Sequence, residues 1–155
     1  MAAVGSELQK LRLAGMVSPQ AIKDNTEFVG SKGSTPRTVD TVLNGIKANS
    51  AMVVVYLGAT DIAMATMKVY DSPDNSTYTA LVNFATDGTL PSATDDNGFF
   101  AFYLDLRNAD RYLQIELIPG NGTAGTFAVA FAILGDIVQA PSNDTERGLV
   151  DSVFA

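Results

Sequence analysis

The acidic loop at residues 87–98 comes nearest to a metal-binding or catalytic pattern in this chain. Asp87, Asp95, Asp96 and Asn97 offer hard oxygen atoms of the kind that Ca²⁺ prefers. Their spacing is not that of an EF-hand, and two adjacent carboxylates do not establish the separation across a cleft that a glycosidase pair needs. We expect a solvated loop with no metal site and no catalytic site, and whether it binds a cation or a glycan stays open.

Histidine and cysteine are both absent from the 155 residues. Without cysteine there are no disulfides, thiolate zinc sites or cysteine nucleophiles. Without histidine the chain lacks the commonest general base and transition-metal ligand. An enzyme that relied on carboxylates would need two converging buried acids with perturbed pKa values. The sequence offers no such pair, so we expect a protein that is not an enzyme and carries no cofactor.

The charge of the chain argues against a nucleic-acid partner. Ten Lys and Arg against seventeen Asp and Glu leave a net charge of −7, and the basic residues are scattered. Nucleic-acid binders present a basic stripe that neutralises phosphates. The first residues show neither the basic region nor the apolar region of a secretory signal, and no apolar run approaches a membrane span. We therefore expect no membrane partner.

Four aromatic residues, Phe99, Phe100, Phe102 and Tyr103, follow the acidic loop closely. They suit either a platform on which sugars stack or the interior of a β-sandwich. Because burying aromatic rings is strongly favourable, we expect them to form core.

Alternation of apolar and polar side chains with period two is the main structural signal. It is clear at 99–106, 111–118 and 126–134, between segments rich in Gly, Pro, Asn and Asp. Further strands are predicted at 39–43, 51–57, 62–71 and 78–82, with a turn at 72–76 inside a hairpin. About seven strands without a long helix between them predict an all-β protein, an antiparallel β-sandwich or jelly roll at residues 38–138.

The two ends of the chain are expected to lie outside this domain. Ser6 begins a predicted helix that ends at Ala14, with Gln9 completing a capping box and Gly15 as a stop. Residues 16–37 are rich in Gly and Pro and predict an extended arm, so that 1–37 form an N-terminal helix and arm. Residues 139–155 form a C-terminal tail. The apolar residues of these ends would contribute on binding a neighbouring molecule, or they fold back onto the domain: Leu8, Leu11, Leu13, Met16, Leu149, Val153 and Phe154.

Two further features suggest contacts with a partner. The last predicted strand carries large apolar residues on one face and alanines, Ala128, Ala130 and Ala132, on the other. We expect this alanine face to be buried in a subunit contact or beneath a terminal arm. Arg111, before Tyr112, is either an interface anchor or a charge at a strand edge near Asp105 or Asp110.

Three segments resemble small virion proteins of tailed bacteriophages. Residues 67–78, MKVYDSPDNSTY, are similar to their VQESDDGSTW hairpin, with Ser76 and Tyr78 where that motif has Gly and Trp. Residues 108–115, NADRYLQI, resemble their GSKRYLRV strand. The last part, GTAGTF at 122–127 and LGDIVQAP at 134–141, is similar to their final strand and its exit. In order, these motifs cover about residues 50 to 141.

The virion proteins in question resemble capsid cement or decoration subunits, which are jelly rolls that bind the outer shell, often as trimers. The resemblance implies a structural protein on the outer surface of the capsid, assembled in the host cytoplasm. Its expected partners are the major capsid protein and further copies of itself in a homotrimer. The alternative is a carbohydrate-binding or host-adhesion module of a virion fibre or tail.

Overall fold

A computed structural model describes residues 10–22, 28–29, 38–122 and 124–135. In chain order the strands are β1 (Arg12–Ile22), β2 (Phe28–Val29), β3 (Val39–Asp40), β4 (Val42–Leu43), β5 (Ile46–Lys47), β6 (Ser50–Thr60), β7 (Met64–Ser72), β8 (Thr79–Asn83), β9 (Gly98–Asp105), β10 (Tyr112–Pro119) and β11 (Thr126–Gly135). The helix in these ranges, α1 (Phe84–Asp87), is a single turn between β8 and the acidic loop.

The longer strands form two antiparallel sheets. Sheet A has the order β1-β11-β6-β9, and sheet B has the order β2-β10-β7-β8, with β3 also paired to β10. A small hairpin, β4–β5, turns through Asn44 and Gly45, whose φ angles of 51° and 81° suit a two-residue hairpin turn. The expected all-β antiparallel sandwich is confirmed.

The core lies between the two sheets because every second residue of each long strand points inward. Sheet A contributes Val53, Val55 and Leu57, which have no exposed surface. Sheet B contributes inward side chains with no exposed surface from its two central strands: Met67, Val69, Leu113, Ile115 and Leu117. Burial of these side chains is the main favourable contribution to folding.

The alanines of β11 also point into this core. Ala128, Ala130 and Ala132 are 3%, 1% and 0% exposed and belong to the same cluster of buried residues. The prediction that they lie in a subunit contact or beneath a terminal arm is therefore wrong. The opposite face of β11, which carries the large side chains, is turned outward.

The N-terminal segment belongs to sheet A. Residues 12–14 are extended and pair with β11, so the predicted helix over Ser6–Ala14 is wrong for these three residues. Met16 and Val17 are 1% and 3% exposed, so the interpretation of this segment as an arm outside the core is wrong up to Ile22. The pairing shifts register twice between Gly15 and Gln20, which interrupts the alternation that identifies other strands. Ser6, Leu8 and the tail at 139–155 lie outside the described residues.

The turn predicted between β7 and β8 is confirmed. The carboxylate of Asp74 accepts hydrogen bonds from the backbone N–H groups of Ser76 and Thr77, each at 2.9 Å, and these donors hold the pKa of Asp74 well below its ordinary value. Asn75 takes a φ of 60°, a left-handed conformation that Asn tolerates. The hairpin then returns through Thr79.

Replacing Met16 with alanine tests whether β1 is part of the core. Because the Met16 side chain is fully packed, we expect Met16→Ala to lower the free energy of unfolding by about 2–4 kcal/mol. Chemical denaturation followed by circular dichroism measures the change. Ala21→Ser, at an exposed position of the same strand, should change it by less than about 0.5 kcal/mol. Equal, small effects of both variants would show that β1 is not packed in the core.

Candidate functional site: the outward face of sheet A

The outward face of sheet A is formed almost entirely by apolar and aromatic side chains. We call it the apolar face, and its members are Leu13, Met52, Val54, Tyr56, Phe99, Ala101, Tyr103, Phe127, Val129, Phe131 and Ile133. Strand register places them in rows, since Ile133 lies opposite both Leu13 and Met52, and Met52 lies opposite Tyr103. A continuous surface of this kind on a sheet indicates a contact site.

Three aromatic residues project most strongly from this face. In the described part of the chain, the exposed large hydrophobic residues are Phe99, Tyr103 and Phe127, at 71%, 82% and 58% exposure, and all three belong to the apolar face. The expectation of core burial is thus wrong for Phe99 and Tyr103. It is confirmed for Phe102, which is 4% exposed, and Phe100 packs against the core.

The sequence contained a signal for this exposure. Neighbouring residues of a strand point to opposite sides, so two adjacent aromatic residues cannot both enter one core. The pair Phe99 and Phe100 and the pair Phe102 and Tyr103 each had to place one ring outside. Phe100 and Phe102 point inward and pack edge-on against Phe84 of α1, with ring centroids 6.2 Å and 5.2 Å apart.

Neighbouring side chains hold part of the apolar face in place. The rings of Tyr56 and Phe99 lie on adjacent strands with centroids 4.7 Å apart. The Tyr56 hydroxyl donates a hydrogen bond of 3.2 Å to Oδ1 of Asn97. This arrangement lowers the conformational entropy that these rings would lose on binding a partner.

Sheet B shows the opposite character on its outward side. There the Tyr70 hydroxyl donates to Glu116 at 3.0 Å, and Lys68 lies 3.9 Å from the same carboxylate. Gln114 donates to Thr38 at 3.1 Å. The two outward faces therefore differ in kind. The outward face of sheet B is polar, and its side chains bond within the chain, whereas the outward face of sheet A is mainly apolar.

An open groove of about 670 Å³ lies at one end of the apolar face. Tyr103, Met52 and Ile133 form its apolar side, and Asp105 and Arg107 form its polar rim. The Arg107 guanidinium donates to both oxygens of the Asp105 carboxylate, at 2.9 Å from Nε to Oδ1 and 2.6 Å from Nη2 to Oδ2. These bonds lower the pKa of Asp105 to about 2, so this carboxylate is ionised and neutralised by its partner at neutral pH.

The terminal residues predicted to contact partners are separated by the fold. Met16 is core, whereas Leu13 is a half-buried member of the apolar face and Leu11 lines the groove. Leu8, Leu149, Val153 and Phe154 lie outside the described residues, and their binding role stays a prediction. Because Arg12 pairs with Leu134, the chain enters β1 and leaves β11 side by side, at the groove end of sheet A.

Arg111 is engaged on the surface of sheet B. It donates to both carboxylate oxygens of Asp40, at 2.9 Å and 2.7 Å, and lies 5.0 Å from the centroid of the Tyr112 ring. Its acid partner is therefore neither Asp105, which binds Arg107, nor Asp110, whose backbone N–H donates to Asp71. Whether Arg111 also contacts another molecule stays a prediction.

The carboxylates of the acidic loop accept hydrogen bonds from different backbone and side-chain groups. Asp95 accepts from the Ser92 backbone N–H and hydroxyl, and Asp96 accepts from the Thr60 backbone N–H at 2.8 Å. In the described ranges no three acidic side chains come together as metal ligands would. The same ranges hold no helix with the length and hydrophobicity to cross a membrane.

Comparison with known proteins identifies the fold alone. No protein-family model and no curated protein matches the chain. Among solved structures it is similar to the PBSX exported protein XepA, with a TM-score of 0.55 and 14% sequence identity. The match covers 92% of this chain and 43% of XepA, so the chain spans less than half of that protein. A Bacillus endospore appendage of disulfide-linked pili matches over 80% of this chain and 84% of its own, with a TM-score of 0.32 and 12% identity.

The Asp40–Arg111 pair gives a prediction of pH dependence. Partial burial raises the pKa of Asp40, but the hydrogen bonds from Arg111 and from the Val42 backbone, with the charges of Arg111 and Arg12, outweigh it and hold the pKa below 3.8. Asp40 therefore stabilises the fold above pH 3.8, and this contribution is lost as the pH falls through the lowered pKa. Since the pair is partly exposed, Asp40→Asn should cost about 0.5–1 kcal/mol at pH 7.

Denaturant unfolding of the wild type and Asp40→Asn at pH 7 and below pH 3.8 measures this contribution. The difference between them should narrow at acid pH. In a background of Arg111→Gln the same replacement should cost less, because the ion pair is already broken. A cost that did not change with pH or with Arg111 would rule out the ion pair as its source.

Proposed function

We propose that this chain is a non-enzymatic structural protein of a phage virion, a capsid decoration or cement protein. In this proposal it binds the major capsid protein on the outer surface of the head, self-associates as a homotrimer and stabilises contacts between capsid subunits. The proposal has a more general part, which is that the chain is a phage-related or extracellular structural protein. This part depends less on the sequence resemblance than the capsid role does.

The contrast between the two outward faces carries the proposal. Sheet B satisfies its polar groups within the chain, whereas sheet A exposes Phe99, Tyr103 and Phe127 on a continuous apolar surface. The carboxylates of Asp74, Asp95 and Asp105 are held by backbone groups or by a neighbouring side chain. The chemistry that the described residues offer is thus contact with other molecules over an area, which is what a structural protein requires.

The strand order supports a jelly roll. When β2 and β3 are counted as one strand, the antiparallel pairs are nested. The outermost pair joins β1 to β11, and the next pair joins the combined β2 and β3 to β10. Inside these, β6 pairs with β9 and β7 pairs with β8. This nesting is the order expected of a jelly roll, the architecture of many capsid proteins, and it supports the proposal.

The ends of the chain suit the contacts with the capsid. Both terminal segments begin at the groove end of sheet A, about one strand spacing of 4.8 Å apart, because Arg12 and Leu134 are paired. Apolar residues of these segments, Leu8, Leu149, Val153 and Phe154, would then bind adjacent capsid subunits together. Several weak contacts from one assembly add up through multivalency.

Charge and fold are compatible with a position on the outside of the head. A net charge of −7 would be unfavourable against packaged phosphates, and it keeps a surface protein soluble. The fold is also similar to part of XepA, which is an exported protein by its name.

A second candidate function is carbohydrate binding by a fibre or tail module. The observation that favours it is the groove, where the exposed Tyr103 ring lies beside the Asp105 and Arg107 side chains. An aromatic ring next to fixed polar groups is a common arrangement in ligand sites. Binding of the purified chain on a glycan array, lost in Tyr103→Ala, would favour this function over decoration.

Purified virions provide the test of the decoration role. We expect quantitative mass spectrometry to find the chain in a fixed ratio to the main shell protein. Particles that lack the chain should release their DNA at a lower temperature than complete particles, because the added contacts oppose opening of the shell. Addition of the purified chain should restore the higher temperature.

The control for this experiment is an unrelated acidic protein of similar size, which should not restore the higher temperature. Identical release temperatures with and without the chain would contradict the cement role. Absence of the chain from mature particles would contradict the virion location as well.

A further inference from the structure

We propose that the apolar face is the surface through which one copy of this chain binds a second copy, with the exposed aromatic residues of β9 among its main contacts. This inference rests on the self-association in the proposed function and does not depend on capsid binding. It identifies which surface associates and which residues dominate the contact.

Exposure identifies β9 as a main contributor to the contact. Two of the three most exposed aromatic residues, Phe99 and Tyr103, belong to this strand. In the described part of the chain β9 pairs on one side only, with β6, and its register is regular throughout. It has no proline, no bulge and no lysine, which are the devices that keep an edge strand from associating.

The electrostatics of the apolar face favour a copy of the same chain. Two chains with a net charge of −7 repel each other unless they meet where charge is absent. On the outward side of β6, β9 and β11 the charged residue is Asp105, at the groove end, and Arg107 neutralises it. The interior of the face carries no charge, so two identical faces come together without like-charge contacts.

The chemistry of the face also suits a copy better than a sugar. A glycan site needs several hydrogen-bonding groups converging on the ligand. On the apolar face the polar side-chain atoms of its members are the hydroxyls of Tyr56 and Tyr103, and Asn97 already accepts the hydrogen bond of Tyr56. An apolar face that packs against another copy of the chain needs no such donors. Tyr and Phe are also enriched in the centre of protein interfaces.

The size of the face is sufficient for a specific contact. With neighbouring strands about 4.8 Å apart and outward residues about 6.8 Å apart along a strand, four strands and four rows span roughly 20 Å by 25 Å. Two such faces would bury on the order of 1,000 Å² in total, the area at which specific interfaces begin. The dissociation of a contact of this size can be measured by varying the protein concentration.

Sedimentation velocity over a range of protein concentrations tests the inference. The wild type should form an assembly of two or three copies, and Tyr103→Asp should weaken it by about tenfold or more, because a charge would be buried in the contact. Tyr103 is 82% exposed, so this change removes little packing within the chain. The matched control is Ala80→Asp, which puts the same charge on an exposed strand position of sheet B and should assemble like the wild type.

A chemical cross-link tests the same contact without relying on affinity. Because the chain has no cysteine, Tyr103→Cys carries a single thiol. A short bis-maleimide should join two copies of this variant and should leave Ala80→Cys as single chains. Circular dichroism and thermal melting of each variant confirm that it is folded, and the gentler Tyr103→Ser replaces Tyr103→Asp if the aspartate variant does not fold.

The outcomes separate this inference from the capsid role. A wild type that stays monomeric but binds capsids overturns the inference and leaves the decoration role standing. Assembly through the apolar face without capsid binding supports the inference and overturns the decoration role. Equal weakening by Tyr103→Asp and Ala80→Asp, or a monomer that binds glycans through Tyr103, overturns the inference.

Discussion

The difference in side-chain size between the two faces of β11 determines the organisation of this molecule. Two sheets pack about 10 Å apart, and the volume between them is fixed once one sheet has contributed its side chains. Since β11 contributes alanines, the larger residues of the same core, such as Leu113 and Ile115 of β10, fill more of its volume. The large residues of β11 then have to face outward. Close packing inside and apolar surface outside thus have the same cause.

The strands were predictable from the sequence, but the direction of their faces was not. Alternation located β6, β7, β9, β10 and β11 to within a few residues, because period two follows from strand geometry alone. On β11 both faces are apolar, so hydrophobicity does not tell which one is buried. The choice depends on the sheet opposite, which is a long-range property. The first strand was missed because a local capping pattern and leucine spacing favoured a helix, and pairing with β11 overrode that weak preference.

The candidate site was harder to predict than the fold for the same reason. The aromatic residues Phe99 and Tyr103 were expected in the core, and the structure places them on the apolar face instead. Of the terminal residues expected to bind a partner, Leu13 does belong to the apolar face. Phe127 could not be assigned to it, because its partner Ala21 and the adjacent Gly58 come from distant parts of the chain and meet only in the order β1-β11-β6-β9. A surface that several strands build together leaves no motif in any one of them. Arg111 shows the same limit, since its partner Asp40 is 71 residues away.

The position of the chain ends restricts the symmetry that a decoration protein of this fold would use. The entry to β1 and the exit from β11 lie at one end of sheet A, whereas the apolar face lies along the side of the strands. If two or three copies meet through the apolar face around an axis parallel to the strands, all terminal segments leave on the same side of the assembly. An axis across the strands would send them to opposite sides, and half of them would miss a flat shell. Binding to a capsid therefore favours a rotation axis along the strands, with the groove end of every copy directed at the shell.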